Sequence, residues 1–537
     1  MSSSEFDAVV VGSGITGGLA AKYLSEAGFK TLIVERGRNI DPAKDYVTEF
    51  DEPWDRPKRP KAASFLVRRD EEPYEVEPGK PFEWTRGYQL GGKSLVWGRH
   101  VPRFSADDFE QNARDGYGCD WPIRYSDLAP WYDKVESYIG VSAQAEGHDQ
   151  MPDGKFLPPF PLNAAEMHLR RVLKEKFNRT LTPGRNANLT VEHRGRGPCQ
   201  SRNHCGRGCS FKGYYSSNSG AIPDAVATGR LTVLTGKIAE KLMLDKSGRR
   251  AIALVLADAV DGSRSRVTAR MFVICAGAFN SVHLLMNSVS EAYPRGIGGD
   301  HDVLGRYIMD HVYGSDITGI LPGYEDRYAH GNKPPSITIP PFANVGDDRR
   351  DFVRTYFYQG ETRRLRWGHG AAIPGIGRSL REAVVRPGPW FFNMGAYGDT
   401  LPRPDNRLTL SRNVDRRGIP RLHIDFTFGD NDRKMIADAS REAVSMFNAA
   451  GIKIIDFKPD VFPAGSSIHE MGGARMGRDP TTSVLNRWNQ VHQVPNILVT
   501  DGAAMASSSC KNPSLTYMAI TARAVDHAAQ LLRARST

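Results

Sequence analysis

Three glycines near the start of the chain have the spacing of a phosphate-binding turn. Gly12, Gly14 and Gly17 form the pattern G-x-G-x-x-G directly after the apolar run 8–11. In such a turn the first glycine allows the tight bend, the second lets the backbone approach a pyrophosphate, and the third lets helix pack on strand. Glu35 ends the next strand, 18 residues beyond Gly17, where a carboxylate can accept hydrogen bonds from ribose hydroxyls. The pattern predicts a dinucleotide site, NAD or FAD, that also includes Ser13, Thr16 and Arg36.

Two further segments could bring the backbone close to the same nucleotide. In residues 86–99, paired glycines precede a serine and a Trp-Gly step, which is typical of a loop lying against something flat or charged. A purely structural turn would have the same composition. Residues 273–286 have the pattern of a strand, a turn of small residues and the start of a helix. The cofactor-binding residues predicted in these segments are Gly91, Gly92, Ser94, Trp97, Gly98, Ala276 and Gly277.

The C-terminal region places polar side chains where a reactive group could be bound. A short strand leads into Asp501 and Gly502, and Asn512 and Pro513 open a long predicted helix. The N-terminus of a helix carries a partial positive charge, which suits an electron-rich carbonyl or a developing anion. His469 lies upstream in a glycine-rich stretch without helical periodicity. On these residues alone, the His could be structural and the Asn an ordinary helix cap.

Together and in this order, these four pieces resemble the glucose-methanol-choline (GMC) oxidoreductase family. The resemblance covers both chain ends and the segments 85–100, 270–310 and 465–530. It implies an α/β fold, in which a Rossmann-type FAD-binding domain carries an α+β substrate-binding domain over the flavin. The C-terminal helix would then direct its start, Asn512 and Pro513, at the isoalloxazine carbonyl.

The resemblance also implies how the cofactor is held and which residues are catalytic. Asp501 and Gly502 match the residues beside the flavin and its ribityl chain. Val96 stands where some members carry the His that binds FAD covalently, so non-covalent FAD is expected. His469 and Asn512 match the pair that faces the flavin across the substrate.

The chemistry of alcohol oxidation requires such a pair. Hydride leaves an alcohol carbon for flavin N5 only as the hydroxyl proton is lost, and the flavin supplies the two-electron chemistry. An imidazole with a pKa near neutral is suited to take that proton, so His469 is the expected general base. Asn512 would hydrogen-bond the same hydroxyl and fix its orientation.

Three cysteines form a cluster in a polar loop. Cys199, Cys205 and Cys209 have the spacing C-x5-C-x3-C. In a chain without a recognisable secretion signal, such a cluster indicates a metal site more than disulfides. The residues leave open a zinc site with His193 or His204 as fourth ligand, an iron–sulfur cluster, or no metal.

The family resemblance favours the iron–sulfur cluster. Multi-subunit members that act on sugars and sugar acids have similar clustered cysteines, which hold a cluster that drains electrons from FAD. A three-iron cluster is the simplest form for three cysteines. Ser210 departs from the proline that is frequent after the third cysteine. The implied partners are a sugar or glycoside substrate, a small subunit and a cytochrome-type electron acceptor.

Composition and length limit the remaining possibilities. The net charge is +10, but the basic residues are spread along the chain without a nucleic-acid motif, so no nucleic-acid partner is expected. No apolar run approaches the roughly 18 residues of a membrane helix. The N-terminal residues do not resemble a signal peptide, so the chain is expected in the cytoplasm, or in the periplasm if a signal-bearing partner subunit exports it.

The length of 537 residues predicts more than one domain. The motifs occur at both ends of the chain, so the FAD-binding domain must be discontinuous. It is predicted to comprise 1–45, 85–105, 185–310 and 460–537, including the cysteine loop 195–215. The substrate-binding domain is predicted at 311–459, and 46–84 is predicted to be an extended surface loop or lid.

The expected activity is that of a FAD-dependent dehydrogenase acting on a secondary hydroxyl of a sugar or glycoside. Similarity at 127–133 and 304–311 is to the large subunits of bacterial glucoside 3-dehydrogenases, which implies oxidation at C3 to a 3-keto-glycoside. An oxygen-using oxidase without a cluster and a non-catalytic flavin redox sensor are the alternatives; a sensor has no need of a general base. Side chains that could bind sugar, or equally be core and surface residues, are Tyr358, Gln359, Trp367 and His369.

Overall fold

The predicted α/β fold with a Rossmann-type unit is confirmed. Two large sheets lie on either side of a long cavity, and the helices cover their outer faces. The computed structural model describes residues 5–51, 65–202, 204–327, 333–334, 337–364, 374–386 and 388–534.

The first sheet has seven strands and carries the glycine turn. Its central strand, Phe6–Val11, pairs in parallel with Thr31–Val34 on one side and with Arg264–Ile274 on the other. These strands are buried almost throughout, as expected where helices cover both faces of a parallel sheet. The remaining strands are Leu231–Leu234 and Ile497–Val499, which are parallel to their neighbours, and Lys237–Leu244 and Ala251–Asp258, which are antiparallel.

Two helices pack together on this sheet and bring the chain ends into contact. Ile15–Glu26 begins directly after Gly14, and Ser514–Ala534 begins directly after Pro513. Their small buried side chains, such as Ala20 and Ala524, share one apolar cluster with the strands. The glycine turn and the start of the C-terminal helix, at opposite ends of the sequence, therefore lie at the same edge of the first sheet.

The second sheet has six antiparallel strands and forms the opposite wall of the cavity. The helix Asp430–Ala449 covers its outer face, where Tyr356 and Tyr358 donate hydrogen bonds to Asp438 and to the Ala439 carbonyl. Side chains alternate along a strand, and on the opposite face of this strand Gln359, Glu361 and Arg363 border the cavity. In order across the sheet, the strands are Lys453–Val461, Val312–Leu321, Trp390–Gly398, Tyr356–Arg364, Ile337–Ile339 and Thr182–Pro183.

Smaller elements complete the described part of the chain. Glu75–Val76 pairs with Pro420–Asp425, and Phe82 is buried against Phe279 and Phe426, so these parts of the predicted loop or lid pack against the rest of the protein. Residues 52–64 of the predicted lid lie outside the described residues. None of the described helices combines the length and apolar character needed to span a bilayer.

The remaining described elements are helices, short 3-10 turns and strands. The helices are Pro42–Asp45, Ala106–Asp115, Tyr125–Ile139, Ala164–Phe177, Ala221–Ala227, Ala278–Asn287 and Gly377–Val385. The short 3-10 turns are Gly92–Leu95, Ser217–Ser219 and Gly502–Ala504, and the strands are Val141–Ser142, Phe156–Leu157 and Arg407–Val414.

A buried ion pair anchors the segment that leads into the C-terminal helix. Residues 501–513 are all buried. Lys511 places its Nζ 2.5 Å from Asp108 Oδ2 and 3.2 Å from Ser105 Oγ. Ser509 donates to the other oxygen of Asp108 at 2.8 Å. The helix that follows Ser105 thus fixes the backbone just before Asn512.

Removing the cation of this pair should destabilise the protein strongly. We expect Lys511→Met to lower the free energy of unfolding by about 3–5 kcal/mol, because the Asp108 carboxylate stays buried without its partner. The measurement is urea denaturation. In the control pair Arg378–Glu382 the side chains are 92 % and 54 % exposed. Arg378→Met should change stability by no more than about 0.5 kcal/mol. Equal, small effects of both substitutions would contradict the anchoring role.

Candidate active site

A cavity of about 790 Å³ extends from the glycine turn to the second sheet. Of the predicted catalytic and cofactor-binding residues, only Gly17 and Gly91 are not part of its wall. The predicted residues that line it are Gly12, Ser13, Gly14, Thr16, Glu35, Arg36, Gly92, Ser94, Trp97, Gly98, Ala276, Gly277, His469, Asp501, Gly502, Asn512 and Pro513.

The three glycines of the turn are needed for different structural reasons. Gly12 has φ +91°, and a Cβ there would lie 2.3 Å from the carbonyl oxygen of Cys275. A Cβ on Gly17 would lie 2.0 Å from the carbonyl oxygen of Gly12. Gly14, in contrast, has no atom within 4 Å of its Cβ position and borders the cavity. The protein's own packing therefore requires two of the glycines, whereas the third keeps open the place where a phosphate would lie.

The loop at 91–95 lies directly on this turn. The Gly91 N–H donates to Ser13 Oγ at 2.9 Å, and a Cβ on Gly92 would lie 3.3 Å from Gly14 Cα. Glu35 accepts hydrogen bonds from the backbone and hydroxyl of Ser13 at 3.2 and 2.5 Å. Burial raises the pKa of Glu35. This carboxyl therefore shapes the turn as well as bordering the cavity.

A second turn closes the cavity from the C-terminal side. Asp501 accepts from the Gly277 N–H at 2.8 Å, from Ser281 Oγ at 2.5 Å and from the Ala503 N–H at 3.0 Å. Burial raises the pKa of Asp501 to about 6. Both predicted segments, 276–277 and 501–502, are thereby joined in one wall.

A buried acceptor in the wall has no partner in the part of the chain that the structure describes. Glu470 is 7 % exposed, and its Oε2 accepts a hydrogen bond from Lys93 Nζ at 2.9 Å, whereas its Oε1 accepts none from the described residues. Buried polar atoms are almost always satisfied. The occupant that fits this cavity therefore carries hydrogen-bond donors, such as hydroxyl or N–H groups.

The predicted catalytic residues are in contact with each other. His469 Nε2 lies 3.3 Å from Asn512 Nδ2, and both side chains border the cavity. On the other side of the ring, Nδ1 of His469 lies 2.9 Å from Nδ1 of His311. Gln359 donates from Nε2 to Asn512 Oδ1. A hydroxyl in the cavity can thus reach a ring nitrogen and an amide at once.

Asp310 holds the main chain around His469. It accepts hydrogen bonds from the backbone N–H groups of Gly465 and His469 at 3.0 and 2.9 Å, and from the Ser467 hydroxyl. Ile468 has φ +61°, a conformation that is unusual for a β-branched residue and costs energy. The three hydrogen bonds to Asp310 hold this unfavourable turn, and the turn directs His469 into the cavity.

Burial keeps both histidines neutral. It lowers the pKa of His469 well below its usual 6.5 and that of His311 to about 4. A neutral imidazole is the form that can accept a proton. The pair is therefore in the basic form at neutral pH.

Sequence reasoning missed the catalytic environment supplied by the second sheet. Asp310 and His311 lie in the segment 304–311, where an acid next to an imidazole is the signal in the sequence that could identify them as site residues. The sugar-binding expectation is correct in placing Gln359 at the cavity but wrong for Tyr358, which is fully buried and faces the outer helix. Trp367 and His369 lie outside the described residues.

The three clustered cysteines are close together and free of disulfides. Asn188 places its Nδ2 3.9 Å from Cys199 Sγ and 3.7 Å from Cys205 Sγ. Burial raises the pKa of Cys199 to about 11 and also raises that of Cys209, and neighbouring cysteines contribute in the same direction. In this low-dielectric loop, thiolates would need a bound cation to balance their charge.

The loop makes direct contact with the cavity wall. Gly206, between the second and third cysteines, borders the cavity, as does Arg99. Arg99 donates from Nε to Asn188 Oδ1 at 3.1 Å. The cysteine cluster is therefore separated from the cavity by only a few residues.

Within the described residues, no three His, Cys, Asp or Glu side chains are placed to share one metal ion. Of the two histidines considered as a fourth zinc ligand, His193 has its Nε2 3.2 Å from the Tyr138 carbonyl oxygen. The three cysteines, as placed, therefore do not form a ready-made metal site.

Comparisons with known proteins agree with this arrangement. The fructose dehydrogenase large subunit of Gluconobacter japonicus is 27% identical over 541 residues, which cover 97% of both chains. The C-glycoside 3-oxidase of Microbacterium trichothecenolyticum is 27% identical over 53% of this chain and 52% of its own. The crystal structure of pyridoxine 4-oxidase from Mesorbium loti superimposes with a TM-score of 0.64 at 16% identity, covering 97% of this chain and 98% of that one.

The family itself is recognised over most of the chain. Residues 6–313 match the N-terminal region of GMC oxidoreductases, and residues 402–521 match the C-terminal region. The first match contains the glycine turn and Asp310, and the second contains His469 and Asn512. The chain belongs to the GMC oxidoreductase family, whose members are FAD-dependent enzymes that oxidise CH–OH groups.

Proposed function

We propose that this protein is a FAD-dependent dehydrogenase that oxidises a secondary ring hydroxyl of a sugar or glycoside, at C3, to the ketone. The observation that carries the proposal is the pair formed by His469 Nε2 and Asn512 Nδ2, 3.3 Å apart at the cavity wall. Two relatives support the substrate class by name, one as a fructose dehydrogenase and one as an oxidase of C-glycosides at position 3.

The residues of the cavity fit FAD. The open space at Gly14 suits the pyrophosphate, and Glu35 can bind ribose hydroxyls. The start of the helix Ser514–Ala534 would provide a partial positive charge for the carbonyl groups of a flavin bound in the cavity. The unpaired Glu470 Oε1 can accept a hydrogen bond from a hydroxyl or N–H group of the cofactor. The side chain at Val96 cannot form a covalent bond to the flavin, so we propose non-covalent FAD.

The catalytic steps assigned to the protein concern one proton and the position of one hydroxyl. When bound, FAD supplies the hydride acceptor. His469 Nε2 takes the hydroxyl proton, so that the electrons of the O–H bond form the carbonyl as the C–H hydride departs. Asn512 Nδ2 donates a hydrogen bond to the same oxygen and holds it beside the base.

Polar residues from the second sheet support a substrate with many hydroxyl groups. Glu361, Arg363 and Asn393 project from neighbouring strands into the cavity wall. Together they present a carboxylate, a guanidinium and an amide on the side opposite the glycine turn. Such a mixture of donors and acceptors suits a sugar ring better than a simple aliphatic alcohol.

We further propose that the three cysteines bind a three-iron iron–sulfur cluster that takes electrons from the flavin. The short connection from the cavity through Arg99 to Asn188, and the place of Gly206 in the wall, support this route. Two positive groups near the cysteines are paired within the protein, Arg202 with Glu49 and Arg207 with Asp51.

The proposed electron acceptor is a cytochrome-type protein, reached with the help of a small partner subunit. One relative is named as a large subunit, which supports a multi-subunit enzyme. Export to the periplasm would then depend on the partner. The competing proposal, an oxygen-using oxidase in which the cysteine loop is only structural, is supported by the name of the C-glycoside 3-oxidase.

Filling the open space in the glycine turn should block cofactor binding without unfolding the chain. We expect Gly14→Val to reduce the FAD content of the purified protein by about tenfold or more, because the new side chain occupies the predicted pyrophosphate position. The measurement is flavin absorbance per chain, with far-UV circular dichroism as the test of folding. A folded variant with full FAD content would show that the cofactor does not pass over Gly14.

Removing the base should slow the chemical step. We expect His469→Ala to reduce the rate of anaerobic flavin reduction by roughly 100-fold or more. The substrate is chosen by screening sugars and glycosides for dye reduction, and NMR of the product identifies the oxidised carbon. His527→Ala, which alters a ring stacked on Trp488 away from the cavity, is the matched control and should keep the wild-type rate. A wild-type rate in His469→Ala would exclude this residue as the base.

The cysteine loop should determine which acceptor receives the electrons of the reduced flavin. We expect about three iron atoms per chain in anaerobically prepared protein, with broad absorbance near roughly 400 nm. Cys205→Ser should lose this iron and slow dye or cytochrome reduction, while flavin reduction by substrate is retained. Cys119→Ser, at an isolated half-buried cysteine, is the control and should keep the iron. Iron-free wild-type protein that turns over with oxygen would favour the oxidase instead.

A further inference from the structure

The base is one member of a continuous series of hydrogen bonds across the site. Ser508 O lies 3.1 Å from His311 Nε2, and the two Nδ1 atoms of His311 and His469 are 2.9 Å apart. His469 Nε2 is followed at 3.3 Å by Asn512 Nδ2, and Asn512 Oδ1 accepts from Gln359. We call this series, from Ser508 to Gln359, the histidine chain.

One end of the histidine chain sets the direction of all its hydrogen bonds. A backbone carbonyl can only accept, so Nε2 of His311 must carry its hydrogen. A neutral imidazole has one N–H, which leaves Nδ1 of His311 as an acceptor. The partner nitrogen, Nδ1 of His469, must then be the donor. His469 consequently has no hydrogen on Nε2, the nitrogen that borders the cavity beside Asn512.

The hydrogen bonds at the Gln359 end of the histidine chain are consistent with this direction. Gln359 Nε2 donates to Asn512 Oδ1, so the amide of Asn512 presents its N–H groups toward His469. These N–H groups face the bare Nε2. If His469 adopted the opposite tautomer, two nitrogen lone pairs would face each other at 2.9 Å, and an N–H would face the amide N–H groups.

The backbone of Ser508 and Ser509 lies against the buried ring of His311. Its side chain is buried, with 1 % exposed. Ser508 is itself fixed, because its hydroxyl donates to Asp399 Oδ1 at 2.6 Å. The direct sequence neighbour of His311 is Asp310, which holds the backbone of His469.

We infer that His311 is a positioning residue that fixes the reactive tautomer of His469, with the Ser508 carbonyl as its anchor. This inference rests on the proposed function, in which Nε2 of His469 is the base. His311 does not contact the substrate side of the site, and its action passes through the Nδ1–Nδ1 hydrogen bond. The Asp310–His311 pair thus sets both the main-chain position and the tautomer of the base.

The first test reads the tautomer without any turnover. The FAD-bound protein is labelled with ¹⁵N histidine, and the ring nitrogens of His469 are identified by comparison with His469→Ala. We expect Nδ1 of His469 to carry the hydrogen and Nε2 to be bare in the wild-type protein. A protonated Nε2 in the wild-type protein would overturn the inference, whatever the variants do.

The second test compares two substitutions at the positioning residue. His311→Phe removes the acceptor and should slow anaerobic flavin reduction by about 100-fold, with little change in the apparent Kd of the substrate, because the base is then in the wrong tautomer for nearly all of the time. His311→Asn places an amide oxygen near the position of Nδ1 and should recover at least a tenth of the wild-type rate. The tautomer of His469 should shift in the first variant and return in the second.

The outcomes separate this inference from the proposed function. If His469→Ala keeps the wild-type rate, the proposed base is wrong. If His469→Ala is inactive but His311→Phe retains both the rate and the tautomer, His311 has no positioning role. A loss of rate in both His311 variants without a change in tautomer would also contradict the inference, because it would indicate a merely structural role.

Discussion

Two adjacent residues, Asp310 and His311, hold His469 in position by hydrogen bonds, and the active site depends on these contacts. Asp310 binds the main chain of the turn that carries the base, and His311 binds its ring. Both lie just before the strand Val312–Leu321, at the edge of the second sheet. A displacement of this sheet would therefore move the base relative to the cofactor side of the cavity. The coupling explains how a turn with an unfavourable φ at Ile468 can be kept in one conformation.

The opposite side of the site is fixed by different means. The segment 501–513 is buried throughout, and the Lys511–Asp108 pair and the hydrogen bonds of Asp501 hold it from both ends. Asn512 is consequently placed before the helix Ser514–Ala534 without depending on the loop of His469. The two catalytic side chains thus meet as members of two separately supported walls. Such support is what a reaction needs if a hydroxyl is to be held within a few tenths of an ångström.

The sequence predicted those parts of the site whose physical causes are local. The turn follows from the positive φ of Gly12 and from the contact of Gly17 with the Gly12 carbonyl, both within one strand–turn–helix unit, and the start of the C-terminal helix follows from Pro513. The histidine chain could not be predicted in this way, because His311 and His469 are 158 residues apart. The error at Tyr358 has a simple cause. Alternate residues of a strand face opposite sides, and without the register Tyr358 and Gln359 could not be assigned to a face.

Neutron diffraction from crystals of the deuterated, FAD-bound protein would locate the hydrogens of both imidazoles. We expect a deuteron on Nε2 of His311, directed at the Ser508 carbonyl, and another on Nδ1 of His469. We expect none on Nε2 of His469 at neutral pH. A deuteron on that nitrogen would contradict the claim that the protein presents a bare base to the substrate hydroxyl.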